Sequence, residues 1–243
     1  MSMFHIDRFD SVVSTNELVK HALDEDCDEG LVCRAAEQVG GYGRQGRSWA
    51  SPRGGLYQSL LLRPDVSASS LPTLSLVVAL AARQALLAFC SPNCNDIKVK
   101  WPNDVVCDQG KLVGISLESH GNGVCVGIGV NVFRPAQQVA VGGKNTPAYL
   151  EDLAGKHGAL LSVDAVGDKV LSAFERRYDT WRRDGFAPFV DEFNACNVLA
   201  GKQVSIADRN GKVVASGLAA GVDENGSLVV GAAPVSSGEA HVL

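Results

Sequence analysis

Gly41, Gly43 and Gly46 in "GGYGRQGRSW" (residues 40–49) have the G-x-G-x-x-G spacing of a dinucleotide-binding loop, and Arg44 and Arg47 lie among them. In a dinucleotide fold such a loop opens a helix, whose N-terminus receives the pyrophosphate. Here "RSWASPRGG" follows, with Pro52, Gly54 and Gly55 where the first helical turns would be. The dinucleotide reading therefore fails on its own context. Two readings stay open from the residues alone. One is a solvated surface loop, rich in glycine because positive φ is cheap there. The other is an anion clamp, in which backbone N–H groups approach a ligand and two arginines supply forked, permanently charged donors.

A second set of residues could do chemistry. Lys98 and Lys100 flank Val99, the run ends in Trp101-Pro102-Asn103-Asp104, and Lys111 opens the next segment. Strict strand alternation puts Lys111 on the side of Val113, Ile115 and Leu117. If those three face a core, the ammonium needs an anion there or loses its proton. Gly114 would let a flat ligand lie against the strand. Each feature also has an ordinary reading: a solvated lysine after a turn, plain turn chemistry at Asn103-Asp104, and a glycine that relieves crowding.

These residues need elements to hold them. "ELVKHALDE" (17–25) predicts a short helix capped by Thr15 or Asn16. Residues 30–38 predict a strand leading into the glycine loop, and 55–64 a strand leaving it. Residues 74–89 read as a buried helix and 97–101 as a strand stopped by Pro102. A three-strand meander follows, with turns at 108–110 and 121–123. Ser162 caps a helix to Asp184, whose Val166, Val170, Leu171, Phe174, Tyr178 and Trp181 recur at three- and four-residue steps, and Gly185 ends it. "APFVDEFNAC" (187–196) reads as a further short helix. Beyond about Val198 the texture turns to short β runs with Asn210-Gly211 and Asn225-Gly226 turns, read as a small β-barrel-like appendix.

Composition narrows the class. The 243 residues are 46% apolar, ample for a packed core, and the net charge of −5 argues against a broad nucleic-acid surface. "MSMFHIDRFDSVVSTNELVK" has no apolar h-region, so no signal peptide is expected. Pro72, Thr73, Ser75, Arg83 and Gln84 interrupt the longest apolar stretch, so no membrane span is expected. The seven cysteines include no C-x-x-C pair, which suits free thiols in a reducing cytoplasm.

Taken together, "STN" (14–16), "AEQVGGYGRQGRSWASPRGGLYQSLLL" (36–62), "KWPND" (100–104), "KLVGI" (111–115) and "GIGVNV" (127–132) resemble, in order and spacing, the biotin–protein ligases, also called biotin–acetyl-CoA-carboxylase ligases or holocarboxylase synthetases. The resemblance spans the chain. It implies an α+β fold: a catalytic domain over 1–197 with a central mixed sheet flanked by helices, as in class II synthetases, and an SH3-like C-terminal β domain over 198–243. It implies ATP and biotin as substrates, biotinyl-5′-AMP as intermediate, Mg2+ on the phosphates, and a lysine of a biotin carboxyl carrier domain as acceptor. Lys111 and Arg44 would be catalytic, Lys111 lying between the biotin carboxyl and the α-phosphate. Biotin would meet Ser14, Thr15, Asn16, Gln38, Tyr42, Gly43, Arg44 and Lys111, with Gly114 and Ile115 as an apolar wall. Arg44, Arg47, Trp49, Asn103, Lys111 and Asn131 would serve the adenylate; Asp104, the one carboxylate of Lys-Trp-Pro-Asn-Asp, is the candidate to hold the metal or to support a group that does.

This chain departs from the family's Gly-Arg-Gly-Arg loop by carrying Tyr42 at the first arginine, which predicts a looser hold on the adenylate. Ser14 already matches the catalytic domain, so a DNA-binding repressor is not expected. The rival readings are a lipoate–protein ligase, which the Trp-Pro-Asn-Asp run and the glycine-arginine loop oppose, and a non-catalytic biotin- or carrier-binding module. Two placements for residues 124–130 stay open: an exposed edge that pairs across a homodimer, or a covered inner strand.

Overall fold

The computed structural model describes residues 2–91, 94, 96–136 and 146–243. A seven-stranded mixed sheet runs in the order β1-β2-β3-β7-β6-β5-β4. Its strands are β1 (His5–Val12), β2 (Leu31–Gln38), β3 (Leu56–Leu62), β4 (Lys98–Lys100), β5 (Asp104–Cys107), β6 (Gly110–His120) and β7 (Gly123–Val130). Only β1 and β2 pair in parallel; the other neighbours are antiparallel. Residues 124–130 thus form an inner strand between β3 and β6, and pairing of that edge across a dimer is ruled out.

The two faces are covered differently. Helices α2 (Leu71–Leu87) and α4 (Val163–Asp184) pack on one face and close the main apolar core with Leu60, Ile115, Ile128 and Phe174. Helix α1 (Thr15–Asp24) lies on the other, over a smaller cluster of Val19, Leu23, Cys33, Leu61 and Cys125. Pro72 sits in the first turn of α2, where its missing N–H costs nothing. On α4 the expected apolar residues are all buried, and the Ser162 hydroxyl accepts from the Ala165 N–H at 3.1 Å. The buried aromatics of α4 also satisfy their polar ends: Tyr178 Oη donates to Glu29 at 2.6 Å and Trp181 Nε1 to Thr73 at 2.8 Å.

Two expectations change, one strand is new, and the tail is β-structured as expected. Helix α1 starts at Thr15 with Ser14 at the cap position; Thr15 and Asn16 do not cap it, because their side chains turn into the protein. Strand β1 has no counterpart in the sequence reading. The segment 187–196 splits into a 3-10 turn (Ala187–Phe189) and helix α5 (Val190–Cys196), after the short α3 (Leu150–Ala154) earlier in the chain. The tail folds as a five-stranded antiparallel sheet of β8 (Gln203–Ala207), β9 (Val213–Val222), β10 (Leu228–Val230), β11 (Ala233–Val235) and β12 (Glu239–Val242), in the order β11-β10-β9-β8-β12. Both Asn-Gly turns fall where expected, with Gly211 at φ 80° and Gly226 at φ 72°. Among the described residues no helix is long and apolar enough to cross a membrane. All seven cysteines are free; burial pushes the Cys33 thiol up to about 11 and Cys90 up to about 12, so neither is a ready nucleophile.

Candidate active site

The face that carries α1 is only half covered by it. Beyond α1, β6 and β7 present Gly114, Ser116, Gly127 and Gly129, with Gly114 paired to Gly129 and Ser116 to Gly127. A Cβ on Gly129 would lie 2.6 Å from the Trp49 indole nitrogen, and one on Gly114 would lie 2.8 Å from the same ring. Glycine is needed at both because the loop tryptophan lies flat on the strand backbones. These residues floor a cavity of about 360 Å³, a volume suited to a small-molecule site.

The glycine loop forms the roof. No α-helix follows it; Arg44–Gly46 make one 3-10 turn with Gln45 at φ 60° and Gly46 at φ 70°, and the chain runs on to β3. Gly41 is crowded instead: a Cβ there would approach Trp49 O at 2.7 Å and Gln38 Nε2 at 2.8 Å. Arg44 donates to Asn103 Oδ1 at 2.8 Å. Asn103 is itself fixed to β6: its Nδ2 donates to Ile115 O at 2.7 Å, and its backbone carbonyl accepts from Ile115 N–H at 3.1 Å. Trp101 anchors this corner, since its buried Nε1 donates to Gly226 O of the tail at 3.0 Å. Burial lowers the pKa of Arg44 and the nearby Asp104 opposes that shift; the guanidinium stays charged.

Lys111 reaches the cavity by a route that alternation does not give. The register between β5 and β6 slips at Val105/Val106, so that Val113 opposes Val105 and Lys111 opposes Val106, with Leu112 as the extra residue. That bulge turns Lys111 to the side of Gly114 while Leu112, Val113 and Ile115 stay in the core. The expectation that Lys111 shares a face with Val113, Ile115 and Leu117 is therefore corrected. Its Nζ lies 2.6 Å from Asp104 Oδ1 and 5.3 Å from the centre of the Trp49 ring. The Asp104 contact is an ion pair off the hydrogen-bond directions, so the buried oxygen has no aligned donor.

At the other end the cavity is polar and neutral. Gln38 Oε1 accepts from Thr15 N–H at 2.8 Å and Oγ1 at 3.0 Å, and Gln38 Nε2 donates to Ser51. Asn16 Nδ2 donates to Ser116 Oγ at 3.1 Å and Glu118 Oε1 at 2.9 Å, while its Oδ1 accepts from Ser59 at 2.6 Å. Asn131 Nδ2 holds Lys111 O at 3.0 Å.

Of the residues that the resemblance assigns to biotin, adenylate or metal, Ser14 alone does not line the cavity; it is buried at the start of α1. Ile115 lines it through its backbone, since its side chain belongs to the core and forms no wall. Phe133, Tyr149 and Pro147 of the lining, the last bridged to Lys111, carry no sequence signal, and neither does Glu239 of β12, which accepts from Arg47 at 2.8 Å. Aromatic residues spaced irregularly across a long connection carry no period by which to find them.

This arrangement and the sequence place the chain in a family. It belongs to the biotin/lipoate A/B protein ligase family, whose sequence model matches residues 9–132. Within that family its similarity runs to biotin ligases. It is 36% identical over 204 residues to the biotin–[acetyl-CoA-carboxylase] ligase of Paracoccus denitrificans, covering 81% of this chain and 82% of that one. It is 30% identical over 219 residues to the enzyme of the same name from Mycobacterium tuberculosis, covering 88% and 79%. The fold superposes on the biotin protein ligase of Aquifex aeolicus, solved in complex with biotin and ATP, with a TM-score of 0.81 and 26% identity over 98% of each chain.

Proposed function

We propose that this protein activates biotin with ATP to give biotinyl-5′-AMP and pyrophosphate, then transfers the biotinyl group to a lysine of the biotin carboxyl carrier domain of a biotin-dependent carboxylase. The observation that carries the proposal is the convergence of Arg44, Asn103, Asp104 and Lys111 at one end of a glycine-floored cavity whose other end is neutral and polar.

In the first step a carboxylate oxygen of biotin bonds to the α-phosphorus, and the bond from that phosphorus to the bridging oxygen of pyrophosphate breaks. Two anions at ~4 Å repel by on the order of 4 kcal/mol at an effective dielectric of ~20. Lys111 and Arg44 offset that repulsion with fixed charge. Lys111 exchanges Asp104 for substrate oxygens, and until then the 2.6 Å contact with Asp104 keeps its Nζ aimed into the cavity. Thr15, Asn16 and Gln38 meet the ureido group, Gly114 and Gly129 let the Trp49 ring lie against the sheet, and Trp49, Arg47 and Asn131 serve the adenylate. Tyr42 and Gly43 cover the biotin end. Ser14 acts by fixing the start of α1. In the second step the carrier amine attacks the acyl carbon, the bond to the phosphate oxygen breaks, AMP leaves and the amine proton is released.

Magnesium would come with the triphosphate. Asp104 and Glu239 are the only carboxylates lining the cavity among the described residues, and each is paired with a cation. No group of three or more His, Cys, Asp or Glu side chains gathers to hold an ion among those residues. They do not form a metal cage, so Asp104 serves as the partner of Lys111. The free thiols suit a cytoplasmic protein, and residues 198–243 act as a separate small domain whose last strand borders the loop.

The test is biotin-dependent exchange of labelled pyrophosphate into ATP, with lipoate as a parallel arm. Exchange with biotin alone is expected. Exchange with lipoate alone would make the chain a lipoate ligase, and biotin binding without exchange would make it a binding module.

A further inference from the structure

Tyr42, the residue that departs from the family's loop pattern, makes contacts that no other loop residue makes. Its hydroxyl donates to Glu17 Oε1 of α1 at 2.6 Å and lies 3.4 Å from Glu118 Oε2 of β6. Lys20 completes the cluster: its Nζ is 2.6 Å from Glu17, 3.5 Å from Glu118 and 5.5 Å from the centre of the Tyr42 ring. Glu118 in turn accepts from Asn16, whose amide lines the polar end of the cavity.

Besides the backbone bond from Gly40 N–H to Val13 O, three other side chains of the loop, those of Trp49, Arg44 and Arg47, meet the body of the protein. Trp49 and Arg44 sit inside the cavity, where substrate must rearrange them. The Arg47–Glu239 pair is half exposed at both ends, and such pairs contribute little. The Tyr42 contact stands outside the reacting centre and rests on two fixed elements, α1 packed on the sheet and β6 within it. Its acceptor Glu17 is itself 52% exposed, but it is held by a lysine that is only 20% exposed. A hydrogen bond to an anchored carboxylate is stronger and more directional than one between neutral groups.

We infer that Tyr42 is a positioning residue: through its hydroxyl on Glu17 it latches the glycine loop to α1 and β6 before any substrate binds, and so holds the roof over the polar end of the cavity. The loop is then preorganised by a tyrosine, and the looser lid expected from the sequence does not follow. Glu118 links the latch to Asn16, so occupancy of the polar end and closure of the loop support each other. This inference rests on the function proposed above only for its kinetic consequence; the latch itself needs no substrate.

Limited trypsin digestion of the ligand-free protein tests it, since Arg44 and Arg47 lie within the latched loop. Tyr42→Phe keeps the ring and loses the hydroxyl, and Glu17→Gln weakens the acceptor. Cleavage after Arg44 and Arg47 is expected to be roughly three- to tenfold faster in each variant. The double variant should be no faster than the faster single one, because both remove the same contact. Thermal unfolding followed in parallel separates local opening from global destabilisation. Cleavage at the native rate in either single variant, or effects that multiply in the double variant, would overturn the latch. In pyrophosphate exchange, Tyr42→Phe should raise the KM for biotin by a larger factor than it lowers kcat; equal changes in both would contradict a positioning role. Absence of exchange in the natural protein would refute the proposed function and leave the digestion result standing.

Discussion

Val124, Val126, Ile128 and Val130 of β7 point into the core beneath α2 and α4, whereas Gly127 and Gly129 of the same strand floor the cavity. Strand β6 repeats the division with Val113 and Ile115 on one side and Gly114 and Ser116 on the other. One face is filled with branched side chains that exclude water. The other is emptied of side chains so that a ligand can reach the backbone. The lesson is that this site is made by removing atoms from a sheet whose opposite face supplies the stability. The cations then enter from outside the regular pattern: Arg44 from a loop, and Lys111 through a bulge.

That division makes opposite expectations for the two faces. The largest effect belongs to Lys111→Ala, which should lower biotin-dependent pyrophosphate exchange by about 10²–10³-fold, the usual loss when one preorganised charge is removed, while the unfolding midpoint stays near that of the natural protein. Gly127→Val should come next. A Cβ at that position crowds Asn16 and Ser116, so binding should fall roughly 10²-fold beside an overpacking cost of about 1–3 kcal/mol. Ile128→Ala, one residue away on the opposite face, should spare binding. It should cost about 2–5 kcal/mol of stability in urea unfolding and leave the KM for biotin of the folded fraction unchanged. If Gly127→Val and Ile128→Ala gave the same pattern of losses, the division between the faces would be wrong.

The smallest effect lies under the core face. Arg34 is 4% exposed on β2 and bonds Asp164 at 2.6 Å and Asp168 at 3.0 Å on α4. The Arg34 hydrogen bond, acting against a lesser desolvation, holds the Asp164 carboxyl below its ordinary value of 3.8. A carboxyl depressed in the folded state adds stability above its unfolded pKa and loses it as pH falls through the folded value. The unfolding midpoint should therefore drop on acidification below about pH 4, and Arg34→Met should flatten that part of the profile. An unchanged acid limb in the variant would remove the pair from the account.

Much of this was legible in one sequence, for identifiable reasons. The periodicity of α4 and the two Asn-Gly turns are local signals, and both hold. The absence of a helix after Gly46 is also local, and it disposed of the dinucleotide reading. What failed depends on distant partners. Strand β1 buries few of its side chains, so it shows no apolar alternation, and only pairing with β2 makes it a strand. The bulge that turns Lys111 is set by the register with β5, which no count along β6 reveals. Glu239 meets Arg47 across 192 positions of sequence. Tyr42 looked like a lost charge because only the fold brings it and Glu118 to the Glu17–Lys20 pair of α1.

The central claim is that Arg44 and Lys111 bring a biotin carboxylate and an ATP phosphate together for transfer to a carrier. Its most direct test is the intact mass of a biotin carboxyl carrier domain incubated with biotin, ATP and either the natural protein or Lys111→Ala. The account predicts the added mass of one biotinyl group with the natural protein, dependent on both small molecules, and almost none with the variant. Equal labelling by Lys111→Ala, or no labelling by the natural protein, would contradict it.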